Sequence, residues 1–204
     1  MDLILLVGEA SPELFRALEA EGKRVLLPLP CPDWNRDLSP WPAPPAFRKG
    51  GAFAGGADAF LQDVLSRAAG AERALPGPVR RRFIAGYSLG GLFALWALTK
   101  TPLLDGAACA SSSLWYPDFL SYLRAHPPLN PRCAVALSLG DREADTRNPV
   151  LGRVEDRTRE TRDLLCSLGI PCSLRMEEGT HFTDGEGRLL RAVQDLMRLA
   201  DPGD

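Results

Sequence analysis

Apolar and polar positions along this chain follow two periods that alternate. Short apolar runs fall at residues 3–7, 24–29, 83–85, 105–110, 133–139 and 171–176. Runs this short, bounded by Gly and Pro, read as buried strands. Between them the apolar residues recur at helical spacing. Residues 12–21 form one such stretch, with Ser11 as N-cap, Pro12 at the first helical position and a stop at Gly22. Residues 57–69 form a second, with Phe60, Leu61, Val64, Leu65 and Ala68 on one face. A third carries Leu89, Leu92, Phe93, Trp96 and Ala97. A short helix is expected at 119–124, a long charged one at 149–168 ending at Gly169, and a last one at 187–199. Strands alternating with helices predict an α/β fold with a parallel sheet.

One segment breaks the alternation. Residues 31–56 hold a run of prolines, Trp34 and Trp41, Phe47 and Phe53, and the pairs Gly50-Gly51 and Gly55-Gly56. A loop this long inside a compact domain is often functional. Its aromatics need something to cover, so it is expected to be a structured loop over a site.

The chain has 204 residues, enough for one domain with its own core. Its 24 basic and 26 acidic residues give a net charge of −2 without a basic stripe, which argues against a nucleic-acid partner. The apolar start lacks a positive n-region and a cleavage site and is too short to span a bilayer, so no membrane segment is expected. The five cysteines form no C-x-x-C pair, and there are two histidines, neither near a cysteine pair. This disfavours zinc and suits free thiols in the cytoplasm. Neither G-x-G-x-x-G nor a P-loop occurs, so no nucleotide or flavin cofactor is expected.

The candidate chemistry centres on Gly86-Tyr87-Ser88-Leu89-Gly90. The five letters match G-x-S-x-G, and they sit where a strand gives way to a helix. That is the context in which a sharp turn presents a nucleophilic serine, with glycines where a Cβ would crowd the helix or the next strand. A serine needs a base to take its proton during attack. His181 follows the last strand and is the expected base, whereas His126 sits in a proline-rich, surface-like segment. A carboxylate should orient the imidazole. Counting three residues from Gly140 gives Glu143, which is preferred. Asp141 is closer to the strand end and stays the alternative. All these groups follow the carboxyl ends of strands, where parallel sheets place ligand sites. The backbone N–H of Leu89 is the expected oxyanion donor, with a second from Gly8-Glu9-Ala10, represented by Glu9. Tyr87, Trp34, Trp41, Trp115 and Tyr116 are expected to line an apolar pocket.

Several stretches together resemble an esterase family of the α/β-hydrolase superfamily that includes the trilactone siderophore esterases and, more distantly, esterase D and the feruloyl esterases. They are Gly86-Tyr87-Ser88-Leu89-Gly90-Gly91-Leu92-Phe93, Ser111-Ser112-Ser113-Leu114-Trp115, Gly179-Thr180-His181-Phe182 and Trp34-Asn35-Arg36-Asp37-Leu38-Ser39-Pro40-Trp41. The resemblance implies hydrolysis of a small-molecule ester by Ser88 and His181. It leaves the acid open, because relatives work with a Ser–His pair alone. The chain lacks the N-terminal antiparallel strands of larger members, which implies a minimal α/β-hydrolase fold, a six-stranded sheet in the order 2-1-3-4-5-6 with helices on both faces. An acyltransferase on the same scaffold and a catalytically silent binding protein are the alternative readings. The sequence sets neither substrate nor oligomeric state.

Overall fold

A computed structural model describes residues 1–20, 24–46 and 50–201. Phe47, and Glu21 and Gly22 at the expected end of the first helix, lie outside them.

Strands β1 (Asp2–Val7), β2 (Arg24–Leu29), β5 (Arg81–Tyr87), β6 (Gly106–Ala110), β7 (Ala134–Gly140) and β8 (Cys172–Glu177) form a six-stranded sheet in the order β2-β1-β5-β6-β7-β8. Every neighbouring pair is parallel. This is the expected order once β3 (Pro42–Ala43) and β4 (Phe53–Ala54), a separate antiparallel ribbon, are passed over. Pro28 is accommodated because β2 is an edge strand.

The pleat explains why β1 has no polar alternation. Leu3, Leu5 and Val7 pack into one core with α3 (Ala57–Ala74) and α4 (Leu89–Leu98). Ile4 and Leu6 face the opposite core, against α1 (Pro12–Ala20) and α7 (Gly185–Ala200). Both faces are covered, so both must be apolar. Each large side chain fully buried this way contributes roughly 1.5–3 kcal/mol. The helix α4 is buried along its whole length, from Leu89 to Leu98. By contrast, α1 and α7 are amphipathic and sit on the outside.

Local signals place the elements. The Ser11 hydroxyl accepts the Leu14 N–H at 3.1 Å, as an N-cap should. The expected long helix at 149–168 is shorter. The backbone first forms a 3₁₀ turn at Leu151–Arg153, and α6 runs Val154–Ser167. The cause is Asn148, whose side chain accepts the Val150 and Leu151 N–H groups at 3.0 and 3.3 Å and tightens the first turn. The long loop has internal structure. It holds a helical turn, α2 (Trp34–Asp37), capped by Asp33, whose carboxylate accepts the Arg36 N–H. The Ser39 hydroxyl accepts the Gly55 N–H at 2.8 Å and donates to the Asn35 carbonyl at 2.7 Å, tying the two ends of the loop together. The short helix expected at 119–124 is α5 (Phe119–Ala125).

Candidate active site

The strand β5 ends at Tyr87 and α4 begins at Leu89, so Ser88 is the whole turn between them. Its backbone lies at φ 55°, ψ −119°, a conformation that costs a non-glycine residue on the order of 1–3 kcal/mol. Neighbouring backbone holds it there. The Ser88 N–H donates to Ala110 at 3.0 Å, and its carbonyl accepts from Ser113 at 3.0 Å and from Gly91 and Leu92 at 3.1 Å. A Cβ on Gly86 would fall 2.3 Å from the Gly90 carbonyl carbon, so the strand and helix can meet only over bare backbone. A Cβ on Gly91 would fall 2.0 Å from the Ser112 Oγ, whereas one on Gly90 would touch only Val7, at 3.3 Å. The crowding at Gly91 lies one residue beyond the five-letter motif.

His181 and Glu143 arrive from the next loops along the sheet. The His181 Nε2 lies 3.1 Å from the Ser88 Oγ, and its Nδ1 lies 2.7 Å from the Glu143 Oε2. The tautomer that fits donates from Nδ1 to the carboxylate and leaves Nε2 to accept from the serine. Asp141 is elsewhere. Its Oδ1 accepts the Gly179 N–H at 2.8 Å, and the Arg142 N–H donates to the Gly179 carbonyl at 3.1 Å. Asp141 therefore fastens the loop that carries His181 and does not touch the imidazole. His126 is exposed at the end of α5, with its ring stacked on Tyr122.

The carboxyl of Glu143 is 2 % exposed. Burial pushes its pKa up, but hydrogen bonds from His181, the Gly140 N–H and Ser111 outweigh burial and hold it below the ordinary value. The Gly140 N–H and the Ser111 hydroxyl both donate to Oε1, at 2.8 and 2.7 Å. The guanidinium of Arg188, itself 1 % exposed, donates to the same oxygen from Nη1 at 2.7 Å.

Ser88, Leu89, Glu143 and His181 open onto a cavity of about 420 Å³. The loop 31–56 supplies Asn35, Ala46, Gly50, Gly51 and Phe53 to its wall, and Leu151, Val154 and Trp115 complete the apolar part. Phe182 stands at the wall 90 % exposed, edge-on to the His181 ring. Among the described residues, no three His, Cys, Asp or Glu side chains gather to hold a metal ion, and no helix is long and apolar enough to cross a membrane.

Of the aromatic residues expected to line this cavity, Trp115 does and four do not. Trp41 donates its indole N–H to the Pro117 carbonyl at 3.1 Å and packs on Tyr116, Phe119 and Tyr122. Tyr116 is buried, and its hydroxyl donates to the Trp41 carbonyl at 2.5 Å. These two anchor the long loop to the segment after β6, which satisfies their polar atoms and removes them from the wall. The Trp34 indole covers Gly8, where an added Cβ would meet it at 3.3 Å. The Tyr87 hydroxyl donates to the His181 backbone carbonyl, behind the imidazole. Glu9 is exposed and does not line the cavity. Leu89 does line it, and as the first residue of α4 its N–H has no acceptor within the helix.

Phe53 and Phe182 were named in the sequence without a role. Ser111 and Ser113 belong to the Ser111–Trp115 stretch that carries the family resemblance, and Ser113 puts its Oγ 3.3 Å from that of Ser88. Arg188 carries no motif at all. A buried arginine on an amphipathic helix looks like any solvated one until its neighbours are known.

No protein-family model matches the chain, and no curated protein matches it in sequence. Solved structures do. An IroE-like serine hydrolase from Shewanella oneidensis matches with a TM-score of 0.79 at 21% identity, over 95% of this chain and 69% of that one. A siderophore hydrolase, EstA, from Aspergillus nidulans matches with a TM-score of 0.71 at 22% identity, over 100% of this chain and 83% of that one. The enterobactin esterase of Shigella flexneri matches with a TM-score of 0.68 at 18% identity, over 97% of this chain and 52% of that one. The chain has the α/β-hydrolase fold. Its structural neighbours fall in the group that the sequence motifs resemble.

Proposed function

We propose that this protein is a serine-dependent carboxylic-ester hydrolase that works through an acyl-enzyme. One observation carries the reading, the continuous hydrogen-bonded path from the Ser88 Oγ through His181 to Glu143, at 3.1 and 2.7 Å. Ser88 attacks the ester carbonyl as His181 takes its proton at Nε2. Glu143 holds the Nδ1–H and stabilises the imidazolium that forms. The Leu89 N–H stabilises the charge on the carbonyl oxygen, and losing one such donor costs on the order of 3 kcal/mol. His181 returns the proton to the departing alcohol. Water, activated by the same imidazole, then releases the acid and restores Ser88. Asp141 is assigned a role in fastening the loop.

The substrate proposed is a small-molecule ester with an apolar or aromatic group. Phe53, Trp115, Leu151, Val154 and Phe182 around the serine support that choice. Because structural neighbours are named for siderophore hydrolysis, such esters come first in a screen. The compartment proposed is the cytoplasm, on the odd number of cysteines, five, without a C-x-x-C pair.

The test is hydrolysis of p-nitrophenyl acetate and butyrate by the wild type, Ser88→Ala and His181→Ala, alongside labelling with a fluorophosphonate. Turnover and label should both vanish in Ser88→Ala, with a rate loss of about a thousandfold or more. Equal rates in the three proteins and no label would overturn the hydrolase reading.

A further inference from the structure

Glu143 is held more tightly than an orienting carboxylate requires. Among the described residues, its Oε2 meets His181, while its Oε1 takes the Gly140 N–H, the Ser111 hydroxyl and the Arg188 Nη1 at 2.8, 2.7 and 2.7 Å. Arg188 also donates from Nη1 to the Ser111 Oγ at 2.7 Å and reaches the carbonyls of Thr180 and Glu178 at 3.4 and 3.3 Å. These carbonyls belong to the loop that carries His181. Ser111 holds its hydroxyl between arginine and carboxylate from a left-handed backbone, at φ 44°. Gly140 leaves the room for this, since a Cβ there would fall 2.9 Å from the Arg188 Nη2.

We infer that Arg188 is a positioning residue that aims Glu143 at His181 and partly neutralises the negative charge the imidazole faces. The inference rests on the reading of His181 as the base. A lone buried carboxylate next to an imidazole strongly favours the imidazolium, which cannot accept the serine proton. The Arg188 guanidinium on the other oxygen of that carboxylate offsets part of its negative charge. The desolvated charges stay matched, because Glu143 and Arg188 are 2 % and 1 % exposed. Among the described residues, the other groups that face His181 do not supply that compensation. Tyr87 and Ser88 face it as neutral hydroxyls, Phe182 as a ring, and Arg142 and Asp145 on the cavity wall carry opposite charges.

The chain has two histidines, so His126→Gln leaves one imidazole to follow by NMR. The titration of His181 is compared with arginine, Arg188→Lys and Arg188→Met in that background, and kcat and KM are measured against pH on p-nitrophenyl butyrate. In Arg188→Met the midpoint of the titration should rise by about one pH unit, the order of shift that losing a neighbouring opposing charge produces. The acid limb of kcat/KM should rise with it. In Arg188→Lys the charge remains but the fork is lost. The midpoint should stay within a few tenths of a unit, while kcat falls several-fold at unchanged KM. A folded Arg188→Met with the wild-type midpoint overturns the charge compensation. If Arg188→Met does not fold, the lysine variant decides, because a shifted midpoint overturns the charge role and a wild-type kcat overturns the positioning role. The titration needs no turnover. Absent activity in every protein therefore counts against the hydrolase reading, while the midpoints still judge Arg188.

Discussion

Tyr87 and His181 are tied together across the mouth of the sheet. The phenol at the end of β5 donates to the backbone carbonyl of His181, and the two rings lie 5.3 Å apart. Tyr87 directly precedes Ser88, so the residue that leads into the elbow also pins the loop carrying the imidazole. Replacing Tyr87 by Phe removes that hydrogen bond and nothing from the cavity wall. The expected result is a fall in kcat of about fivefold, equivalent to about 1 kcal/mol, with KM unchanged. A raised KM with unchanged kcat would place the phenol against substrate instead.

The elbow glycines should differ in severity. Gly86→Ala drives a methyl to 2.3 Å from the backbone of Gly90, which cannot move without displacing α4. Gly90→Ala meets the Val7 side chain at 3.3 Å, which can give. Gly86→Ala should cost about 1–3 kcal/mol and the Gly90 variant less, read from urea unfolding midpoints. The reverse order would contradict this packing.

Glu143 links stability to pH with a definite sign. Its folded carboxyl sits below the ordinary 4.5, since hydrogen bonds outweigh burial. In the unfolded chain the group takes up a proton near its ordinary value, while the folded protein resists. Its contribution is therefore complete above about pH 4.5 and is lost as pH falls through the folded value. Glu143→Gln has no such titration and leaves the buried Arg188 charge without its counter-charge. It should be less stable than wild type by about 3–5 kcal/mol at pH 7, with the gap narrowing below pH 4.5. Denaturant titrations at several pH values measure the gap, and one that widens toward acid would contradict the assignment.

Trp115 and Trp41 should separate binding from loop anchoring. Trp115 lines the cavity, so Trp115→Ala should raise KM for aromatic esters several-fold. Trp41→Phe loses the hydrogen bond to Pro117 and should cost about 1 kcal/mol of stability with KM little changed. Steady-state kinetics and thermal unfolding on the two variants check both halves.

The alternation of short apolar runs with amphipathic stretches was enough to give the α/β class and every strand of the main sheet. Strand length and helical spacing are local properties, so the sequence carries them. The same holds for the Ser11 cap and for the G-x-S-x-G turn, whose steric demands are met within a few residues. The strand order came from the resemblance to a family, because pairing between β1 and β5 is made across more than seventy residues of chain and leaves no local mark. Between Glu143 and Asp141 the sequence offered a preference for Glu143, three residues after Gly140, and no decision, because the two acids stand two positions apart in one tight turn. The turn after β7 decides it, by pointing Asp141 at the Gly179 N–H and Glu143 at His181. Aromatic residues in a loop are equally apolar whether they face a ligand or a neighbour, so their sequence could not say that Trp41 and Tyr116 anchor while Phe53 and Trp115 line the wall. Arg188 was invisible for the same reason. The sequence by itself determined the elements and the serine elbow, through local sterics and periodicity. The tertiary structure alone decided which carboxylate meets the imidazole and which arginine meets that carboxylate, because those contacts join residues brought together only when β6, β7, β8 and α7 pack.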